Sequence, residues 1–276
     1  MYTLNCSGRL LVMDKPWVMG IINATPDSFY KESRKQHIDE IMQLAEKMIT
    51  EGANIIDIGG QSTRPGSERI GVQEETDRTA PAIERIMQHF PDAIVSIDTY
   101  SSDVAKAGVK AGASMVNDIS SGDMDEAMIP VVAALRTPYI CMHMQGTPDT
   151  MQKDPQYENV SLTVLDYLAA KVDQCRKAGM DDIIIDPGFG FGKTIAHNFA
   201  LLQSLPALQI IKRPVMVGLS RKSTIYKTLH ITAEEALNGT TVLHTIALMN
   251  GANILRVHDV RAAKEAIDLF MAYLST

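Results

Sequence analysis

The sequence predicts an α/β fold, a (β/α)8 TIM barrel with a short N-terminal β-hairpin. Three observations lead there. Eight short runs are near-continuously apolar and β-branched rather than alternating, as expected of strands covered on both faces. Stretches with apolar residues at three- and four-residue spacing separate them, which implies helices linking parallel strands by right-handed crossovers. A glycine shortly before a strand recurs in GANII, GASMV, GMDDIII and GANIL, a repeated βα unit rather than two unlike halves. The 276 residues suit one barrel, a fold of about 250 residues; an open doubly wound sheet is the other reading of the alternation. No linker or low-complexity tract interrupts the chain, so a single domain over 1–276 is expected, with 1–14 as the hairpin.

In chain order, Thr3–Met13 turns at Ser7-Gly8 and reads as the hairpin, placed to plug the barrel bottom. The strands are Val18–Ile22, Asn54–Ile58, Ile94–Ile97, Met115–Ile119, Tyr139–Met142, Ile183–Ile185, Val215–Leu219 and Ile254–Val257. The first helix, Ile38–Glu51, lines up Ile41, Leu44, Ala45, Met48 and Ile49 on one face. The others are Glu74–His89, Ser101–Ala111, Asp123–Leu135, Val160–Lys177, Asn198–Leu208, Ala233–Asn250 and Val260–Tyr273. Gly52, Gly112, Gly179 and Gly251 stand just past helix ends, where a left-handed residue is needed.

Composition excludes several classes. The net charge of −7 argues against a nucleic-acid binder with a broad basic face. Aromatics are 5% while methionines number 16, so the core should be aliphatic and Met-rich. Cys6, Cys141 and Cys175 are odd in number and far apart in sequence, which forms no disulfide framework and points to a reducing compartment. The start, MYTLNCSGRLLVMDKPW, does not read as a signal peptide, and no run of about 18 apolar residues offers a membrane span. A cytoplasmic chain is expected.

Polar residues gather where the strands end. They are Asn23, then Gly59-Gly60-Gln61-Ser62-Thr63-Arg64, Asp98, Asn117 with Asp118, His143, Asp186, Ser220-Arg221-Lys222, and Arg256 with His258. Any one of these simply opens a loop; eight strands at once mark the C-terminal rim, where barrel enzymes keep their chemistry. Asp98, Asn117 and Asp186 converge in the mouth and need donors from a ligand, such as a guanine-like or pterin-like edge. Arg64, Lys222, Arg256 and His258 form a cationic set suited to phosphate or pyrophosphate. Two decoys fall away. DPGFGFGKT has Pro187 where a phosphate loop needs its first glycine, and Lys193 where G-x-G-x-x-G needs its third. His143 and His258 lack zinc-site spacing and have no cysteine pair beside them.

MGIINATPDSF, GANIIDIGGQSTRPG, SIDT, NDISSG, MHMQGTPDTMQ, DPGFGFGKT, GLSRKS and RVHDV together resemble dihydropteroate synthase, in order and over nearly the whole chain. The resemblance implies a barrel enzyme of folate synthesis, usually a homodimer. It would join 6-hydroxymethyl-7,8-dihydropterin pyrophosphate to p-aminobenzoate. It implies pterin contacts from Asp98, Asn117, Asp186, Lys222 and Arg256, and pyrophosphate contacts from Asn23, Thr63, Arg64, Arg256 and His258. Asn23 would be linked to Mg2+. Phe29, Thr63, Phe191, Lys222 and Ser223 would border p-aminobenzoate, and Asp27 would join Asp98, Asp186, Lys222, Arg256 and His258 in catalysis. Loops one and two, rich in Gly, Pro and Ser, would close as lids. Gln61, where the family usually has Glu, and Tyr30-Lys31-Glu32-Ser33, where Ser-Asp-Gly-Gly is common, depart from the pattern. Two other readings are a pterin-dependent methyltransferase acting on a corrinoid protein, which needs no pyrophosphate site, and a non-catalytic pterin-binding module. The intact cationic and carboxylate sets argue against both.

Overall fold

Apolar runs covered on both faces become the strands of one barrel in the computed structural model. It describes all residues except 7, 26–30, 63–68 and 276, with backbone alone for 31–36. The hairpin is β1 (Tyr2–Cys6) and β2 (Arg9–Met13), paired antiparallel. The barrel strands are β3 (Trp17–Asn23), β4 (Ile55–Gly59), β5 (Ile94–Asp98), β6 (Met115–Asp118), β7 (Tyr139–Met142), β8 (Ile183–Asp186), β9 (Met216–Val217) and β10 (Ile254–Val257). All are parallel, in the order β8-β7-β6-β5-β4-β3-β10-β9. The seam between β8 and β9 is slight: a single bridge joins Ile185 to Val215, with the Ile185 N–H donating to Pro214 O at 2.9 Å.

Around the strands lie α1 (Lys31–Thr50), α2 (Val72–His89), α3 (Ser102–Lys110), α4 (Met128–Leu135), α5 (Val160–Lys177), α6 (Ile195–Gln203), α7 (Ser223–Leu229), α8 (Leu237–Met249) and α9 (Val260–Leu274). Several differ from expectation, and α1 starts at Lys31 rather than Ile38. Residues 123–127 form turns, in which the Met128 N–H donates to Asp125 O, so α4 starts late. The expected Asn198–Leu208 helix ends at Gln203, and a 3-10 turn, Leu205–Ile211, follows with Pro206 in its first turn. Helix α7 was not expected at all, and α8 begins at Leu237 rather than Ala233. Gly52, Gly112, Gly179 and Gly251 all have positive φ, as their places after helices require.

Two apolar clusters result. The larger lies between strands and helices and includes Met48, Met128 and Met180. The smaller joins Leu4, Cys6 and Met13 of the hairpin to Trp17, Met19, Ile55, Met115, Ile140, Ile184, Met216 and Ile254 from the barrel strands. The hairpin thus packs on the barrel floor, leaving the opposite rim for chemistry. Cys141 and Cys175, distant in sequence, meet with their Sγ atoms 3.7 Å apart as free thiols.

Candidate active site

Strand register sets the first part of the rim. Asn23 pairs with Gly59, Gly59 with Asp98, and Asp98 with Asn117, so these positions lie on one level of the ladder. One layer deeper is Asp57, a fully buried carboxylate in the middle of β4. Its Oδ2 accepts from Arg256 Nε at 2.7 Å and from Asn117 Nδ2 at 3.0 Å. Arg256 Nη2 lies 2.7 Å from that oxygen and donates to Asp98 Oδ2 at 2.5 Å. Three of the residues expected at a pterin, Asp98, Asn117 and Arg256, are therefore assembled around a fourth that the sequence reading missed. The available signal was the charge itself: an Asp between isoleucines in a strand buried on both faces needs an internal partner.

Burial pushes the Asp98 carboxyl up to about 7, with Asp57 adding to the rise and Arg256 opposing it. Asp186, at the end of β8, is also raised by burial, against the pull of Lys222 and the Gly188 N–H that bonds its Oδ1 at 2.7 Å. Burial lowers Lys222 to about 8, against the pull of Asp186. The lysine's Nζ donates to Phe189 O and stands 4.8 Å from the centre of the Phe191 ring. Ser223 follows it as the first residue of α7. His258 is exposed on the rim, with Nδ1 3.0 Å from Ser220 Oγ.

Two rim residues turn out to hold the frame. Asp118 accepts from Ser120 N, Ser120 Oγ, Gly122 N and Tyr139 Oη, all at 2.7 Å, and is fully buried. His143 lies under Lys193, whose Nζ is 2.9 Å from its Nδ1 and donates to Gly188 O at 2.9 Å and Phe191 O at 3.0 Å. Burial and the lysine hold His143 down at about 3, and burial brings Lys193 itself to about 7. The glycines of DPGFGFGKT serve close approach: a Cβ on Gly188 would stand 1.9 Å from His143 O, and one on Gly192 2.5 Å from Gln145 O. These glycines pack the loop against the segment that follows β7.

Asp27, Phe29, Tyr30, Thr63 and Arg64 lie outside the described residues, as do the side chains of Lys31, Glu32 and Ser33. Gln61 is described and buried: its amide donates to Ser62 O and accepts from Ile70 N, both at 2.8 Å. It ties together the two ends of the second loop, and a glutamate could only accept there. Among the described residues no three His, Cys, Asp or Glu side chains gather as a metal cage. The oxygen donor at hand is the amide of Asn23, exposed at the end of β3. That suits an ion such as Mg2+, which keeps waters and takes most of its oxygens from a bound diphosphate.

A family model described as pterin binding enzyme matches residues 19–258. The dihydropteroate synthase of Escherichia coli (strain K12) is 40% identical over 274 residues, covering 99% of this chain and 96% of that protein. A Xanthomonas albilineans dihydropteroate synthase solved with 4-aminobenzoic acid superposes with a TM-score of 0.91 at 38% identity, covering 99% of this chain and 98% of that one. The enzyme from the same organism in complex with 7,8-dihydropteroate gives a TM-score of 0.88 at 36% identity, with 100% of both chains covered.

Proposed function

The chain belongs to the dihydropteroate synthase family of pterin-binding enzymes, and from that premise we propose how its own rim residues divide the reaction. The transferase activity joins 6-hydroxymethyl-7,8-dihydropterin pyrophosphate to p-aminobenzoate in folate synthesis. The bond from the pterin's methylene carbon to the pyrophosphate oxygen breaks, with its electron pair leaving on oxygen. The aromatic amine then gives its lone pair to that carbon and loses a proton, which yields 7,8-dihydropteroate and pyrophosphate. An aniline nitrogen is nucleophilic at neutral pH, so no strong base is required. The need is to stabilise separated charges, which preorganised groups do best.

Asp98, Asn117, Asp186 and Lys222 hold the pterin, and the two carboxylates favour the positive charge that develops on it. Arg256, fixed by Asp57 and Asp98, belongs to the same floor, sets the carboxylates' geometry and would also contact the pyrophosphate. His258 meets the departing pyrophosphate at the exposed rim, and Asn23 would hold Mg2+. The ion would neutralise charge on the leaving group. Phe191, Lys222 and Ser223 border p-aminobenzoate, joined by Phe29 and Thr63. Asp27 and Arg64, on the same two loops, complete the catalytic and pyrophosphate sets. What supports the division is the convergence of Asn117 and Arg256 on one buried carboxylate beneath Asp98.

A homodimer in the cytoplasm completes the reading. Val242, Ile246 and Met249 are exposed on α8 at one-face spacing, an apolar stripe suited to a second copy. Incubating the purified chain with both substrates and Mg2+ tests the reaction: dihydropteroate is expected, and pyrophosphate released without it would count against the assignment. Light scattering tests the dimer, and a monomeric mass would remove it.

A further inference from the structure

The two rim segments that carry Lys222 and His258 leave adjacent strands, yet the ladder between those strands is very short. β9 and β10 pair only at Met216–Ile254 and Val217–Leu255. The main-chain register thus stops three residues before both Ser220 and His258, and side chains cross-link the segments beyond that point. Ser220 Oγ accepts from the His258 N–H at 3.3 Å and lies 3.0 Å from its Nδ1. Arg221 donates through Nε to Asp259 Oδ2 at 2.7 Å and through Nη2 to Asp259 Oδ1 at 2.9 Å, a two-pronged pair.

We propose that Arg221 and Asp259 are a positioning pair that fixes the pterin-side Lys222 relative to the pyrophosphate-side His258, acting through the rim and not on substrate. The inference rests on the division of ligands given above. Every nitrogen of the Arg221 guanidinium is engaged within the protein, since Nη1 donates to Ala233 O at 3.0 Å and Glu234 O at 2.6 Å. Its backbone N–H is held by Thr240 Oγ1 at 3.0 Å. Its φ of 53° is left-handed, a conformation a non-glycine residue keeps only where its surroundings enforce it. That reversal sends the Arg221 side chain outward to the segment before α8 and to the N-cap of α9, while Lys222, next in the chain, reaches the carbonyl of Phe189 across the mouth. Asp259, one residue past His258, is the N-cap of α9, and the arginine holds its carboxyl below the usual range. One ion pair therefore links the turn before α7 to the turn before α9, and each turn carries a ligand-facing side chain.

The test uses the full chain and the variants Arg221→Met, Arg221→Lys, Asp259→Asn and Arg221→Met with Asp259→Asn. Calorimetry reads affinity for inorganic pyrophosphate and for 6-hydroxymethylpterin, well below each variant's melting temperature. Arg221→Met and Asp259→Asn should each weaken both ligands at least fivefold. The double variant should be no worse than the weaker single, and Arg221→Lys should recover part of the loss. Lower melting temperatures with unchanged affinities would reduce the pair to a structural brace and overturn the inference. So would losses that multiply in the double variant. His258→Ala and Lys222→Met serve as controls for the underlying reading. If they keep their ligands, the division of ligands fails and the inference with it; if they lose them while Arg221→Met does not, only the inference fails.

Discussion

A carboxylate at position 186 can accept both donors of an aminopyrimidine edge, whereas an amide accepts one through its oxygen and sets its own NH2 against the other. Asp186→Asn should therefore cost about 1.5–3 kcal/mol of pterin affinity, and calorimetry with an unchanged affinity would remove Asp186 from the pocket. His258 makes the complementary case. Because it is exposed and tied to Ser220, His258→Ala should weaken pyrophosphate about tenfold or more, the loss of one hydrogen bond to a charged group. Binding of 6-hydroxymethyl-dihydropterin should remain near that of the wild type; parallel losses on the same folded variant would make His258 a structural residue. The carboxylates, amide and cations at strand ends were legible as positions, because a barrel brings its strand ends to one rim. Asp57 was not, because attention to ends passes over a charge in mid-strand. His143 and Asp118 show the converse error, rim positions whose side chains turn into the frame.

At the scale of elements, the strands were easier to read than the helices. An apolar run with both faces covered leaves a dense signal, and all eight appear, although β9 is only Met216–Val217. Helix α7 escaped because Ser223–Leu229 is seven residues long, too short to repeat its apolar face twice. The loop after β8 was legible only negatively, as something other than a phosphate loop. Its positive account needs the neighbours: Lys193 is 3% exposed and gathers Gly188 O, Phe191 O and His143 around one ammonium. Lys193→Met would leave those acceptors buried and unpaired, at a cost of at least about 2 kcal/mol. Urea melts at neutral pH should show the loss, and a stability within about 0.5 kcal/mol of wild type would mean that the lysine is dispensable to the loop.

For the whole molecule, acid stability depends on histidines kept neutral in the core. Burial holds His244, on α8, down at about 4, against the charge of Asp259. The unfolded chain takes up the proton below about 6.5 while the native chain does not, so native stability falls as pH drops from there toward 4. The stability gap between wild type and His244→Leu should move by about 2 kcal/mol toward the variant between pH 7 and pH 5. A gap that stays constant with pH would mean that the imidazole titrates freely. The seam of the barrel carries a different consequence. With one bridge joining Ile185 to Val215, the hoop of strands is nearly cut between β8 and β9, and local opening should begin there. Asp186 stands on one side of that cut and Lys222 on the other, so a pterin gripped by both would act as a rivet across it. Amide deuterium uptake at Ile185 and Val217 should exceed that in β4 and β5 when the mouth is empty. A bound pterin should slow it at the cut far more than elsewhere; uniform slowing around the hoop would show that the substrate does not fasten the barrel.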